Sequence, residues 1–426
     1  MKAIIQASQV SGTIIAPSSK SYTHRAIIIA ALAQGTSVIE KPLISDDTNY
    51  TIAACRKLGA KINIKNNFLE IVGVNGKFLL GKNPTRIYCG NSGTTARLIT
   101  TVATLTDGIV IVDGDRRLRQ RPMIELINTL KTLRVNILSL NKEGFLPIKI
   151  YGRTLRGGTI SVSGNVSSQF ISALLILAPF VQKGIEIRAT NLASAPYVDI
   201  TIDVMKAFGV QVQKNKDKYL VKAKQKYLGR SYRVEGDWSS ASYLFAAAAV
   251  TKSEITVSNL NPASTQGDKI FLDILENMGC NVKRDKNQIT VLGKPLISIS
   301  VDMKYFPDLV PSLAIVVAFV EGISKILNIA NLRDKESDRI LAISSNLTGM
   351  GIKTAEKYES LEIKGGKPRG NRVKTYNDHR IAMSFAVAAL STKGETTIQN
   401  AQVVSKSYPD FWDDLQKIGA KLKISD

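Results

Sequence analysis

A short motif recurs along the whole chain and marks the passage from a helix to a strand. In Leu58-Gly59-Ala60-Lys61-Ile62 an amphipathic helical run stops at the glycine and an alternating segment follows. Glycine in this place predicts a left-handed helix end. The second position of the motif recurs at residues 59, 134, 209, 279, 351 and 419, which are 75, 75, 70, 72 and 68 residues apart. Six repeats of about 70 residues therefore account for the chain, and they determine its architecture.

A second motif alternates with the first and places polar residues before a purely apolar run. The segment Ala16–Arg25 carries serines, Lys20 and Arg25, and the apolar run behind it ends at Gly35. A helix without a polar face is buried, and its N-terminus collects free backbone N–H groups that attract anions. The other five polar starts are Asn91–Arg97, Asn165–Gln169, Asp237–Ala241, Phe306–Asp308 and Tyr376–Arg380.

Buried and amphipathic helices in equal number, joined by strands, indicate that helices pack inside with sheets around them. A chain of 426 residues is too long for one core, and six repeats divide most simply into two sets of three. The predicted fold class is therefore α/β, as a two-domain inside-out α/β barrel of six repeats. We place the crossing between the domains near Tyr232–Asp237.

The charge balance indicates anionic partners. The chain carries a net charge of +22, and nucleic acid is the obvious candidate. However, the cations form no basic tail, and no aromatic-rich strand resembles an RNA-binding signature. Lysines between Lys214 and Lys226 alternate along a predicted hairpin, which is typical of a solvated strand face. The convergence of helix N-termini favours a small substrate with several negative charges.

Several common classes of function lack their motifs. The sequence contains no phosphate-binding loop, dinucleotide fingerprint, zinc-protease or serine-hydrolase motif. Three separated cysteines and two histidines predict neither a disulfide framework nor a metal site. No apolar run reaches the roughly 20 residues of a membrane span, and the first residues lack a secretory apolar core. We expect a cytoplasmic protein without metal or cofactor.

The candidate catalytic groups each have a structural alternative. Asp308 is either a helix N-cap or a base at the mouth of a cavity. Lys335 and Arg339 are predicted at i and i+4 of a helix, with Glu336 beside them. That segment is either a surface ion-pair helix or a carboxylate whose pKa is set by flanking cations. Among the four arginines between Arg116 and Arg121, the last precedes a predicted helix start, where an anion would also meet the dipole.

Eight stretches in the same order resemble the 5-enolpyruvylshikimate-3-phosphate synthase family along nearly the whole chain. They are Ser19–Ser21, Asn91–Arg97, Arg121–Pro122, Val166–Phe170, Glu235–Ser242, Pro307–Asp308, Lys335–Arg339 and Tyr376–Arg380. The resemblance implies repeats of βαβαββ form and domains comprising residues 17–235 and residues 1–16 with 236–426. It also implies an active site in the cleft between the domains. The implied reaction transfers the enolpyruvyl group of phosphoenolpyruvate to the 5-hydroxyl of 3-phosphoshikimate by addition and elimination, releasing phosphate.

The resemblance also implies the roles of individual residues. It further implies an enzyme that is a monomer and uses no metal or cofactor. The implied catalytic residues are Asp308 as base on the 5-hydroxyl, Glu336 as acid–base group at the methylene carbon, and Lys20. Phosphoenolpyruvate would be held by Lys20, Gly93, Arg121, Arg339, Arg380 and Lys406. The 3-phosphoshikimate residues would be Lys20, Ser21, Arg25, Ser167, Ser168, Gln169, Ser194, Tyr197, Asp308, Asn331 and Lys335.

Two other functions remain as alternatives to this one. The sister family that uses UDP-N-acetylglucosamine carries Lys-Asn where this chain has Lys20-Ser21, and typically a cysteine in the loop of Arg116–Arg121. RNA-phosphate cyclases have related repeats and represent a nucleic-acid-binding alternative. Ser92, Leu98 and Leu332 depart from residues common in the family, so the response to inhibitors of this family stays open.

Overall fold

The computed structural model describes residues 1–81, 83–152 and 155–425. The chain forms two compact units, which we call the middle unit (Ser18–Val234) and the terminal unit (Met1–Pro17 with Glu235–Asp426). The helices are α1 (Lys20–Leu32), α2 (Asp46–Lys57), α3 (Gly93–Val102), α4 (Ile124–Thr132), α5 (Gln169–Leu177), α6 (Pro196–Ala207), α7 (Trp238–Thr251), α8 (Ile270–Asn277), α9 (Val310–Ala318), α10 (Arg339–Gly349), α11 (His379–Ala389) and α12 (Phe411–Lys417).

Strands alternate with these helices along the chain. They are β1 (Lys2–Gln6), β2 (Gly12–Ile15), β3 (Thr36–Glu40), β4 (Lys61–Ile64), β5 (Phe68–Val72), β6 (Thr85–Tyr88), β7 (Ile109–Asp113), β8 (Asn136–Ser139), β9 (Ile148–Tyr151), β10 (Gly158–Ser163), β11 (Ile185–Thr190), β12 (Gln213–Asn215), β13 (Lys218–Val221), β14 (Ser231–Arg233), β15 (Glu254–Ser258), β16 (Asn281–Arg284), β17 (Gln288–Leu292), β18 (Ser300–Asp302), β19 (Gly322–Leu327), β20 (Lys353–Glu356), β21 (Leu361–Gly365), β22 (Arg372–Val373), β23 (Thr396–Gln399) and β24 (Lys421–Ser425).

Within the described ranges the strands form six four-stranded sheets of one pattern. In β6-β7-β9-β8 the first pair is parallel and the other two pairs are antiparallel, with Val110 opposite Ile150. The middle unit also contains β14-β3-β5-β4 and β10-β11-β13-β12. The terminal unit contains β16-β17-β15-β2, β18-β19-β21-β20 and β22-β23-β1-β24. The first two strands of the chain thus complete sheets of the terminal unit.

The helices that lack a polar face are buried, as their sequences predict. In α1 every residue from Tyr22 to Leu32 is buried, and in α7 every residue from Trp238 to Thr251 is buried. Helices α3, α5, α9 and α11 are likewise buried along nearly their whole length. Each unit has its own apolar core around its buried helices. The predicted α/β fold class is confirmed.

The repeated helix ends adopt the backbone that the motif predicts. Gly59, at the end of α2, has a φ of +108°, a conformation that costs glycine little. In the second repeat the same place is taken by Arg134, which still adopts a φ of +64°. The repeat therefore preserves the turn even where the sequence does not supply glycine.

The predicted helix across Lys335–Arg339 is wrong. A short 3₁₀ turn covers Ala330–Asp334, and Lys335 has extended backbone. Helix α10 begins only at Arg339, because the side chain of Asp338 caps it by accepting from the backbone N–H of Leu341 at 3.1 Å. Lys335 and Arg339 therefore do not share a helix face.

None of the helices in the described ranges combines the length and the apolar character that a membrane span requires.

Candidate active site

In the middle unit, the first turns of α1 and α2 meet through one ion pair. The ammonium of Lys20 lies 3.1 Å from Oδ2 of Asp47, and both side chains are largely buried. Helix α2 is fixed at this end by a reciprocal cap between Ser45 and Thr48. Lys20 is therefore held at a defined place at the start of α1.

Gly93 and Arg121 lie directly against one another. Gly93 is the first residue of α3, and Ser92 caps that helix by accepting from the backbone N–H of Thr95. A Cβ added to Gly93 would lie only 2.7 Å from one terminal nitrogen of the Arg121 guanidinium, which is 4% exposed. Arg119, in contrast, is exposed and pairs with Asp113 at 2.6 Å. Arg121 is thus the buried one of these two arginines. It ends the 3₁₀ turn Leu118–Gln120 and lies three residues before α4, so the prediction that it opens a helix is wrong.

The predicted 3-phosphoshikimate residues of α5 are connected to α3. One terminal nitrogen of Arg97 donates to the hydroxyl of Ser167 at 3.2 Å and to Oε1 of Gln169 at 2.8 Å. The amide of Gln169 donates in turn to the hydroxyl of Thr94 at 2.9 Å. Ser168 is buried beside them and is the residue before α5. The α5 start is therefore positioned by side chains from another helix.

Arg25 joins two further predicted residues of this set. Its guanidinium donates to the carbonyl of Ser21 at 2.9 Å, to the carbonyl of Tyr197 at 3.1 Å and to the hydroxyl of Thr201 at 2.6 Å. Burial lowers the pKa of Arg25 to about 10, so the side chain remains a cation at neutral pH. Ser194, two residues before α6, is buried with a left-handed φ of +57°.

In the terminal unit, Arg339 connects three carboxylates. Its guanidinium donates to Asp308 at 3.0 Å, to Glu336 at 2.8 Å and to Asp378 at 2.8 Å. Arg339 is 1% exposed, and Asp378 is fully buried. Asp378 also caps α11 and accepts from the hydroxyl of Ser337 at 3.0 Å. The two predicted acid–base residues are therefore bound by the same cation.

Arg380 completes the surroundings of Asp308. It donates to Oδ2 of Asp308 at 2.7 Å and to the hydroxyl of Tyr243 at 3.2 Å. Burial alone would raise the pKa of Asp308, but the positive charges of Arg380, Arg339 and Lys335 outweigh it and hold that pKa well below its usual range. Phe306 and Leu309, not Asp308, are the N-cap residues of the 3₁₀ turn Pro307–Leu309 and of α9.

The remaining predicted residues surround Glu336. The ammonium of Lys406 lies 4.0 Å from Oε1 of Glu336, and Lys406 is 5% exposed. Asn331 lies in the 3₁₀ turn that leads to Lys335 and Glu336.

In the described ranges, no three or more histidine, cysteine, aspartate or glutamate side chains are grouped in a way that suits a metal ion.

Comparison with known proteins identifies the kind of enzyme that carries this arrangement. The model of the family "EPSP synthase (3-phosphoshikimate 1-carboxyvinyltransferase)" matches residues 4–415. The chain belongs to the EPSP synthase family. The 3-phosphoshikimate 1-carboxyvinyltransferase of Methanocella arvoryzae is 43% identical over 427 residues, with 100% of both chains covered. That of Methanosarcina acetivorans is 42% identical over 431 residues and covers 99% of each chain.

Solved structures agree with this assignment. The EPSP synthase of Acinetobacter baumannii superposes with a TM-score of 0.84 at 27% identity and full coverage of both chains. The resemblance found in the sequence, the enzyme class and the activity of the EPSP synthase family are thereby confirmed.

Sequence reasoning missed several side chains that shape this EPSP synthase site. They are Asp47, Arg97, Asp268 and Asp378. Arg97 and Asp378 lie inside the recognised motifs, and Asp47 is one of two aspartates at a helix start, where the helix dipole favours carboxylates. Asp268 is buried and accepts from the hydroxyl of Ser239, and only the three-dimensional structure reveals that contact.

Proposed function

We propose that this protein transfers the enolpyruvyl group of phosphoenolpyruvate to the 5-hydroxyl of 3-phosphoshikimate, with Asp308 as the base. The observation that carries the assignment of Asp308 is its pairing with Arg339 at 3.0 Å and with Arg380 at 2.7 Å. Two arginines on one carboxylate form a site that suits an anionic substrate, because guanidinium groups bind carboxylate and phosphate in a bidentate manner.

The arginines and lysines neutralise phosphoenolpyruvate in this proposal. Arg339, Arg380 and Lys406 come from the terminal unit, and Lys20, Gly93 and Arg121 come from the middle unit. The contact between Gly93 and the Arg121 guanidinium supports a common role for these two residues. We therefore expect that the two units act as the two domains of the enzyme and that activity needs both.

The 3-phosphoshikimate ligands belong mainly to the middle unit. The proposed set is Lys20, Ser21, Arg25, Ser167, Ser168, Gln169, Ser194 and Tyr197, with Asp308, Asn331 and Lys335 from the terminal unit. The bonds from Arg97 to Ser167 and Gln169, and from Arg25 to the carbonyls of Ser21 and Tyr197, support this grouping. Hydroxyl and amide groups so held suit a phosphorylated sugar-like acid.

Proton transfers follow from the placement of the two carboxylates. In the addition, the 5-oxygen bonds to C2 of phosphoenolpyruvate, its proton passes to Asp308, and C3 receives a proton from Glu336 or Lys20. In the elimination, the bond from C2 to the phosphate oxygen breaks and phosphate leaves with the proton that Asp308 had accepted. The methyl group returns a proton to the group that donated it, Glu336 or Lys20. The contact of Glu336 with Arg339 at 2.8 Å and its distance of 4.0 Å from Lys406 hold its carboxyl group in a defined place.

Substrate binding is expected to activate Asp308. While Arg339 and Arg380 neutralise Asp308, its carboxylate is a weak base. The carboxylate and phosphate of phosphoenolpyruvate compete for the same guanidinium groups, and as they withdraw charge from Asp308 its pKa rises toward the range that general-base catalysis needs.

The proposed enzyme is a cytoplasmic monomer that needs no metal or cofactor and binds neither nucleic acid nor membranes. The absence of a suitable membrane-spanning helix in the described ranges is consistent with this part of the proposal. Sedimentation of the purified protein measures its oligomeric state, and a mass near 46.4 kDa is expected.

A phosphate-release assay tests the function. Phosphoenolpyruvate and 3-phosphoshikimate together should yield phosphate, whereas UDP-N-acetylglucosamine in place of 3-phosphoshikimate should yield none. Activity should persist after exhaustive treatment with EDTA. Release with UDP-N-acetylglucosamine would assign the sister reaction instead, and a loss with EDTA that zinc or magnesium restores would show that the metal-free proposal is wrong.

A further inference from the structure

A continuous chain of buried polar side chains crosses the interior of the middle unit between α1, α2 and α3. We call it the His24 chain; it consists of His24, Thr51, Thr95 and Ser92. Nδ1 of His24 lies 2.7 Å from the hydroxyl of Thr51, and that hydroxyl lies 2.7 Å from the hydroxyl of Thr95. The hydroxyl of Thr95 lies 2.7 Å from that of Ser92. All four side chains are fully buried, where a lost hydrogen bond is costly.

The contacts of the His24 chain allow an arrangement of protons that also serves the backbone carbonyl of Asp47, which lies 3.3 Å from the hydroxyl of Thr95. In this arrangement Thr95 donates to that carbonyl and accepts from Ser92 and Thr51, because a threonine hydroxyl has a single proton. Thr51 then accepts from His24, whose imidazole carries a proton on Nδ1.

The far end of the His24 chain lies at two groups of the proposed phosphoenolpyruvate site. Ser92 caps α3 immediately before Gly93, which lies against Arg121. Asp47, whose carbonyl accepts from Thr95, holds the ammonium of Lys20 at 3.1 Å. One buried hydroxyl, that of Thr95, thus connects the turn before Gly93 with the helix start that holds Lys20.

We propose that His24, Thr51 and Thr95 are positioning residues for phosphoenolpyruvate. They touch no substrate; they fix the turn before Gly93 and the segment of Asp47, so that Lys20, Gly93 and Arg121 keep their places. The consequence for catalysis rests on the proposed function. The arrangement of protons does not rest on it, because it concerns only the hydrogen bonds within the His24 chain.

Substitution of Thr51 tests the positioning role. Thr51→Val keeps the shape of the side chain and removes the hydroxyl, whereas Thr51→Ser keeps the hydroxyl. Thr51→Val should raise the KM for phosphoenolpyruvate roughly threefold to tenfold, the loss expected for one buried hydrogen bond, and leave that for 3-phosphoshikimate nearly unchanged. Thr51→Ser should restore most of the affinity. Equal increases in both KM values, or equal losses for serine and valine, would overturn the proposal.

A matched control is present on α3. Thr100 is also fully buried, and its hydroxyl has no hydrogen-bond partner among the residues that the structure describes. Thr100→Val should leave both KM values unchanged. An effect on the KM for phosphoenolpyruvate as large as that of Thr51→Val would show that the response comes from general perturbation of the core.

The protonation of His24 gives a readout that does not depend on activity. The chain has only two histidines, His24 and His379, so a His24→Gln variant assigns the ring signals in a long-range ¹H–¹⁵N NMR spectrum. We expect a proton on Nδ1 of His24 in the wild-type protein, and loss of this preference in Thr51→Val. A ring protonated only on Nε2 would mean that Thr51 donates to His24, and it would overturn this arrangement of protons. Absence of activity in the wild-type protein would instead refute the proposed function.

Discussion

Asp308 shows at the scale of a single residue how neighbours determine chemistry. A carboxylate before a buried helix is often a cap, and this one accepts from Arg339 and Arg380. The pairing keeps Asp308 ionised and lowers its basicity until an anionic substrate takes over the arginines. The same two arginines therefore serve binding and restrain the base in the free protein.

The first prediction concerns the two carboxylates of this cluster. Asp308→Asn and Glu336→Gln should each lower kcat about a hundredfold or more, because each removes a proton-transfer group, while the affinity for 3-phosphoshikimate changes little. Steady-state kinetics and equilibrium binding measure the two effects. Glu143→Gln, at a side chain that is 80% exposed, is the control and should behave as the wild type. Wild-type turnover in both cluster variants would refute the assignment.

A second prediction concerns Gly93. Gly93→Ala places a methyl group 2.7 Å from the buried guanidinium of Arg121, which must then move. The KM for phosphoenolpyruvate should rise about tenfold or more, and further than that for 3-phosphoshikimate. Gly366→Ala is the control, since the nearest atom to its added Cβ is 4.0 Å away. Equal changes for both substrates would exclude Gly93 from the phosphoenolpyruvate pocket.

Asp268 provides a prediction about pH. Burial, followed by the charge of Asp308, raises the pKa of Asp268 to about 7. An aspartate with a raised folded-state pKa binds more protons when folded, so it lowers stability as the pH rises from about 4 toward that value. Asp268→Asn cannot titrate and retains an oxygen for the Ser239 hydroxyl.

Thermal unfolding of Asp268→Asn and the wild type checks this prediction. The difference in Tm, variant minus wild type, should become more positive from about pH 5 to about pH 8. The exposed Asp413→Asn serves as control and should show a constant difference. A difference that is constant for Asp268→Asn as well would mean that its carboxyl titrates at an ordinary pH.

At the scale of the element, the sequence predicts more of the helices than of the site. Apolar runs without a polar face identified α1 and α7 as buried, and the repeated motif identified the turn at Gly59. These features are local, since periodicity and end signals lie within about a dozen residues. The hairpin of β12 and β13 followed from the alternation of lysines in the same way.

The contacts within the site were beyond such local reasoning. Arg339 reaches Asp378, which is 39 residues further along the chain, and no periodicity encodes that pair. The segment from Lys335 to Asp338 was assigned to a helix because its charges match i, i+4 spacing, but the Asp338 cap delays the helix to Arg339. Helix propensity and charge spacing are weak predictors of secondary structure at a place where a helix cap and the three ion pairs of Arg339 determine the backbone.

At the scale of the whole molecule, we expect the excess of positive charge to affect the rate of substrate association. The chain carries 57 lysines and arginines against 35 aspartates and glutamates, and both proposed substrates are anions. A protein field of this sign raises the rate at which anions reach the site, and dissolved salt weakens that field. The effect concerns association, so it should appear in kcat/KM and leave kcat largely unchanged.

The last prediction is therefore a dependence on ionic strength. The Debye length falls from about 30 Å at 0.01 M salt to about 8 Å at 0.15 M, so kcat/KM for both substrates should decline severalfold over this range. Potassium acetate and potassium chloride should act alike at equal ionic strength, since screening does not depend on the identity of the anion, whereas competition for the arginines does.

The double substitution Lys224→Gln and Lys226→Gln lowers the net charge from +22 to +20 at exposed positions. It should reduce kcat/KM slightly at low salt and not at high salt. A value of kcat/KM that is independent of salt, or that follows the anion and not the ionic strength, would show that steering by the whole molecule contributes nothing and that only the local arginines and lysines matter.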